Sequence, residues 1–245
     1  MANKQQEKLP LFSFAAAFLD YLYPSLHDCP QCGAEDIPVM QETAGLCNLC
    51  FATFPWMDAA DLPAGVSVPA RYESSARALI FHLKYRECQY LSPMMAWLMA
   101  DCFRARHVER FPGQKPGEAS WLVIHVPLHH TRQKQRGYNQ SHLLAKHTAG
   151  FLDVSYEPQA LIRHRKTAPL YRLSRQERMQ NVAGSISLNR AMEKKIRDSH
   201  ILLVDDIYTT GATASACKEA LLQAGPASIT VMAFALADIR DHNTP

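Results

Sequence analysis

Ile201-Leu202-Leu203-Val204-Asp205-Asp206-Ile207-Tyr208-Thr209-Thr210-Gly211-Ala212-Thr213 constrains this chain more than any other stretch. Its aliphatic run has no polar alternation, so it reads as a parallel strand buried on both faces. The two acids then stand at the strand's carboxyl end, where open α/β sheets bind ligands. A Thr-Thr-Gly loop follows, and Ala214 to Ala224 has helix-forming composition. Backbone N–H groups, the positive end of that helix and the hydroxyls of Thr209, Thr210 and Thr213 converge there, which suits a phosphate. Gly211 lets the backbone approach the anion. Asp205 and Asp206 suit two neighbouring sugar hydroxyls. The plain alternative is a buried strand and a capped helix with no ligand. That leaves the adjacent, mutually repelling acids unexplained. The stretch therefore asks for a ligand carrying a sugar diol and a phosphate.

A chain of 245 residues holds one α/β domain and a small accessory module. Its hydrophobic and charged fractions are ordinary for a soluble globular protein. The net charge of +3 says little about nucleic acid, so the distribution has to be read instead. Residues 128–178 carry ten Lys and Arg against three Asp and Glu, next to the expected cleft. The bland reading of such a run is a solvated basic face. No apolar run reaches the roughly 18 residues that span a bilayer. Lys4, Glu7 and Lys8 mix charges at the start and no cleavage pattern follows, so the expected location is cytoplasmic.

Four of the seven cysteines are paired by spacing, as Cys29-Pro30-Gln31-Cys32 and Cys47-Asn48-Leu49-Cys50. Each pair sets two thiolates on a tight turn, and two such knuckles complete a tetrahedral Zn²⁺ site. Four thiolates leave no open position, so the expected zinc is structural. A segment this short cannot bury its own core, and the metal supplies its folding energy. Two unrelated cysteine pairs are the alternative.

The expected organisation is an apolar helix over 1–26, a zinc ribbon over 27–55 and an α/β domain over 70–240. Residues 53–70, with three prolines, read as the connection. Helices are expected from Ser74 to Arg86 and from Ser92 to Arg106. Trp121 to Val126 reads as a strand. A basic loop with His129, His130, Arg132, Lys134, Arg136 and Gly137 follows, and a helix starts at Tyr138 or Asn139. The two histidines are either metal ligands or, more commonly for such a pair, solvated. Ala160 to Arg163 reads as a short strand, and a basic stretch without periodicity runs to Asn181. Gly184 to Leu188 and Ser228 to Leu236 read as further strands.

The stretch 201–213 closely resembles the phosphoribosyl-pyrophosphate (PRPP) motif of type I phosphoribosyltransferases. Tyr208 stands where many of those enzymes have a small aliphatic residue. Other blocks are Leu83-Lys84-Tyr85, Val126-Pro127-Leu128 with Arg132, Arg136-Gly137-Tyr138-Asn139-Gln140, Arg163-x-Arg165-Lys166-Thr167, and Glu177-Arg178 with Asn181. Together with the four cysteines, they make the chain resemble the ComF/GntX family of competence-associated proteins. That family usually has Gln where this chain has Leu170. The resemblance implies a type I phosphoribosyltransferase fold, a mostly parallel sheet flanked by helices, behind a small four-cysteine zinc ribbon. It implies PRPP with Mg²⁺ as ligand. Asp205 and Asp206 would hold the ribose, Thr209, Thr210, Gly211, Ala212 and Thr213 the 5-phosphate, and Arg132 and Arg136 the departing pyrophosphate. It also implies a role in DNA uptake and natural transformation, with a helicase-like competence protein as partner. A transferase with an unknown acceptor is one form of this reading. A non-catalytic PRPP sensor that binds single-stranded DNA is the other.

Overall fold

The computed structural model describes residues 26–35, 37–38, 45–86, 88–107, 120–165 and 175–237. Nearly all of the helix expected over 1–26 lies outside them, as do Lys166, Thr167 and Leu170. The chain divides into two compact units, Met1–Ala52 and Thr53–Pro245. In the first, β1 (Leu26–His27) pairs antiparallel with β2 (Ile37–Pro38), and α1 spans Asn48–Ala52.

The second unit is built on a parallel sheet. It contains β3 (Val66–Ser67), β4 (Ala70–Arg71), β5 (Trp121–His125), β6 (Ser155–Tyr156), β9 (His200–Tyr208) and β10 (Ser228–Leu236). The order is β3-β10-β9-β5-β6, with β4 also on β10, and every pairing is parallel. Ile201 to Val204 and Val231 to Ala235 have no exposed surface. Such strands are stable only with both faces covered. Alternate residues point to opposite faces. Leu122, Ile124, Ile201, Leu203, Val231 and Ala233 pack with Cys217, Ala220 and Leu221 of α8 (Ala212–Leu222). On the other face, α5 (Gln140–Leu152) lies against β5 and β9, and α3 (Ser92–Arg106) packs on α5 and β10. The α2 helix (Ser74–Tyr85) also contacts β10. A separate antiparallel pair, β7 (Leu161–Arg163) with β8 (Ile186–Leu188), stands beside α8. No helix among the described residues is long and apolar enough to cross a membrane.

Some elements differ from expectation. The basic loop contains a helix, α4 (His130–Arg136). Its seven residues are polar or charged throughout, so no periodicity announces it. Local chemistry sets its ends. The His129 side chain accepts from the Thr131 N–H at 3.3 Å, and Gly137 closes the helix at φ 78°. The aperiodic basic stretch ends in α6 (Arg175–Val182). The connection 53–70 carries β3 and runs into β4 at its last residue, and at two residues each these strands are too short to show alternation. A short helix, α7 (Glu193–Ile196), precedes β9. Finally, β9 runs through the acids to Tyr208, because β10 pairs with it over that whole length.

Candidate functional site

A cavity of about 310 Å³ opens at the carboxyl ends of β5, β9 and β10. Asp205, Asp206 and Thr209 to Thr213 line it, together with Lys84, Arg132, Arg136, Gln140, Ser141 and Arg163. Every site residue expected from the 201–213 stretch and from the basic loop is therefore in one cleft. Lys84, Ser141 and Arg163 join them without having been given a role from sequence. The basic end of α2 was a signal for Lys84. Nothing in the sequence singles out Ser141.

The two acids are held differently. Asp206 is buried and its Oδ2 lies 2.7 Å from Lys84 Nζ. Asp205 Oδ1 accepts from the Ser141 hydroxyl at 2.9 Å and from the Asp206 N–H at 2.9 Å. The Asp205 carboxyl is pushed up to about 7, first by burial and then by the charge of Asp206. The Ser141 hydroxyl, the Asp206 amide and Lys84 act in the other sense. A raised acid weakens the fold as pH rises. The unfolded chain ionises near pH ~3.9. The folded chain ionises only near 7, so stability falls between those values and levels off above them. Asp205→Asn lacks this dependence. Between about pH 5 and about pH 8, wild type should lose at least about 1 kcal/mol relative to the variant in urea unfolding. An unchanged difference would contradict the burial of that carboxyl.

The loop after β9 is shaped for close approach. Gly211 is the N-cap of α8 at φ 75°, in the left-handed region that favours glycine. A Cβ there would lie 2.5 Å from the Tyr208 hydroxyl, so the Tyr208 ring rests on the loop. No side chain caps α8, and the residues of its first turn, Ala212 to Ala214, line the cavity. Orphan N–H groups at a helix start attract anions. The Thr210 hydroxyl is buried in the same place with no hydrogen-bond partner. So is the Nε2 of Gln140, a residue only 2% exposed. Buried polar groups are normally paired, and these two are placed where an arriving polar ligand would meet them.

The Arg136-to-Gln140 block has a physical reason at each position. Arg136 donates to Gln140 Oε1 at 3.0 Å and to the Tyr85 hydroxyl at 3.3 Å, with its guanidinium 5.1 Å from the Tyr85 ring centre. Gly137 ends α4, and the Tyr138 hydroxyl donates to the Leu83 carbonyl. Asn139 caps α5 through Ser141 N–H and donates to the Val126 carbonyl. The block thus clamps the Leu83-Lys84-Tyr85 end of α2 beside the acids. Burial, and then Arg136, lower the Arg132 pKa. Burial, and then Arg132, lower that of Arg163. Crowded, partly desolvated cations of this kind gain from an arriving anion. Arg165 serves the fold, donating to the Ala183 carbonyl at 2.9 Å.

In the smaller unit, Cys29, Cys32, Cys47 and Cys50 bring their sulfurs within 4.8 Å of one another. Cys32 Sγ and Cys47 Sγ are 3.7 Å apart. Tetrahedral zinc with bonds of about 2.3 Å sets sulfurs roughly 3.8 Å apart. The Cys47 and Cys50 N–H groups point at the sulfurs of Cys29 and Cys47. The donor set fits a structural zinc. Among the described residues, no other set of three or more such ligand groups lies as close. His129 is buried as a helix cap and His130 is exposed. The solvated pair expected there is thus half right.

Residues 157–243 match the family described as phosphoribosyl transferase domain. The DNA utilization protein YhgH of Escherichia coli (strain K12) is 29% identical over 205 residues, 83% of this chain and 81% of that one. Competence protein F of Haemophilus influenzae is 29% identical over 209 residues, 85% and 84% of the two chains. Competence protein ComFC of Bacillus subtilis is 32% identical over 117 residues, 47% and 44%. A mutant hypoxanthine phosphoribosyltransferase from Trypanosoma cruzi is 15% identical and covers 62% of this chain and 78% of its own, at a TM-score of 0.37. The chain is thus similar over most of its length to proteins named for DNA utilization and competence, and its residues 157–243 match a phosphoribosyl transferase domain that follows the four cysteines in sequence.

Proposed function

We propose that the cleft binds PRPP with Mg²⁺ and that the protein acts in DNA uptake or utilisation, as the names of its relatives suggest. The observation that carries the ligand is the buried, unpartnered Thr210 hydroxyl in front of the bare start of α8. The loop Thr209 to Thr213 takes the 5-phosphate. Asp205 and Asp206 take the ribose hydroxyls, with orientations set by Ser141 and Lys84. Arg132 takes the pyrophosphate, and Arg136, tied to Gln140 and Tyr85, shapes that end of the cleft. Mg²⁺ would travel on the pyrophosphate with most of its water, and the two acids are the carboxylates that would meet that shell. In transfer, the bond from the ribose carbon to pyrophosphate breaks as an acceptor's lone pair attacks the same carbon. The fixed charges stabilise the departing anion and the cationic ring.

A second reading is a PRPP sensor that binds single-stranded DNA without turnover. Phe81 and Tyr85 are exposed on α2 with ring centres 5.2 Å apart, beside Arg136. Exposed aromatics next to cations suit base stacking. A competence helicase is the protein partner expected on either reading. Two assays separate them. The transferase releases pyrophosphate from PRPP when given its acceptor. The sensor releases none, and its oligothymidylate affinity drops about tenfold in Tyr85→Ala and weakens steeply with salt. Unchanged DNA binding in Tyr85→Ala would sink the second reading.

A further inference from the structure

Gln140 opens α5 and lines the cleft together with Arg132 and Arg136 of α4. It is only 2% exposed. The two ends of its carboxamide are treated differently. Oε1 accepts from the Arg136 guanidinium at 3.0 Å. Nε2 is buried with no hydrogen-bond partner among the described residues.

Arg136 fixes which way that amide faces. A guanidinium only donates, so the amide atom turned to it has to be the oxygen, and the N–H groups have to face elsewhere. Turning the amide over would set donor against donor. Arg136 is itself held on a second side, donating to the Tyr85 hydroxyl at 3.3 Å. Gln140 therefore keeps an unused N–H₂ donor in the wall of the cleft, with its one acceptor atom turned to Arg136. The cleft is divided in consequence. Asp205 and Asp206, at the end of β9, accept, whereas Arg132, Arg136 and the Gln140 N–H₂ donate. A ligand group that meets this second wall has to be rich in acceptor oxygens.

We propose that Gln140 is a specificity residue of the cleft, whose N–H₂ donates to a pyrophosphate oxygen and so separates ligands that carry a pyrophosphate from sugar phosphates that lack one. This role rests on the sugar-phosphate reading of the cleft and adds to it a residue outside the 201–213 stretch. A buried amide left unpaired is unfavourable, and an arriving phosphate oxygen relieves it. Hydrogen bonds to a charged acceptor are the stronger kind, so one donor is enough to be measured.

The test is calorimetry on the whole chain, wild type against Gln140→Met, with PRPP, inorganic pyrophosphate and ribose 5-phosphate as probes, each with Mg²⁺. Methionine keeps the length of the side chain and lacks the donor. The variant should bind PRPP and pyrophosphate at least about tenfold more weakly than wild type, and ribose 5-phosphate within about twofold. The thermal midpoint checks its folding. An equal loss for all three probes, or no loss for any, would overturn the role of Gln140 while leaving the cleft reading in place. Failure of wild type to bind any of the three would overturn the cleft reading and this role with it. The wild-type protein also gives a measurement that needs no variant. The Gln140 side-chain N–H₂ signals should shift when pyrophosphate and Mg²⁺ are added and stay in place with ribose 5-phosphate. Signals that ignore pyrophosphate, or answer equally to both probes, would rule the proposal out.

Discussion

Lys84→Met is expected to cost about 3 kcal/mol of stability, because it strands a buried carboxylate. The lysine and Asp206 side chains are only 17% and 12% exposed, and their 2.7 Å contact joins α2 to the carboxyl end of β9. Asp206→Asn should cost a similar amount by stranding the cation. The double variant removes both charges and should recover at least about 1 kcal/mol relative to the sum of the singles. Urea unfolding of the four proteins measures this coupling directly. Strict additivity would mean that the pair is solvated in solution. The contact matters to function because Lys84 sits between two other ties. The Leu83 carbonyl accepts from Tyr138, and the Tyr85 hydroxyl accepts from Arg136. Losing Lys84 should therefore loosen the wall of the cleft as well as the charge balance within it.

Removing zinc should have a comparably large effect, confined to the cysteine unit. Structural zinc contributes on the order of 10 kcal/mol to segments that cannot fold alone. One zinc per chain is expected. A strong chelator should open the described residues around the cysteines, 26–35 and 45–52, to protease while the sheet unit, which begins at Thr53, stays protected. Cys32→Ser should reproduce the effect without chelator. A metal-free protein with an intact, protease-resistant cysteine segment would contradict the assignment.

The sheet was legible because β9 and β10 are unbroken apolar runs, and only a doubly covered parallel strand explains them. The loop of the cleft was legible for a different reason. Paired acids, three hydroxyls and a glycine in fixed order are more than a buried strand and a helix start require, which marks the stretch as a site. Elements held by single local contacts were hidden. The α4 helix rests on the His129 cap and Gly137, and a polar seven-residue helix has no face to betray it. Ser141 was invisible because its partner, Asp205, is 64 positions away. Lys84 looked like one more basic residue at a helix end until the fold set it against Asp206. Gln140 was legible only as the end of a block, and its unpaired amide shows only in the fold. Tyr208, which departs from the family pattern, proves to be the cover of Gly211.

Titration calorimetry with PRPP, with and without Mg²⁺, on wild type and on the Asp205→Asn/Asp206→Asn double variant, is the most direct test of the cleft. The account predicts Mg²⁺-assisted binding to wild type and at least a hundredfold loss in the folded double variant. Absence of binding to wild type, or equal binding to both proteins, would contradict it.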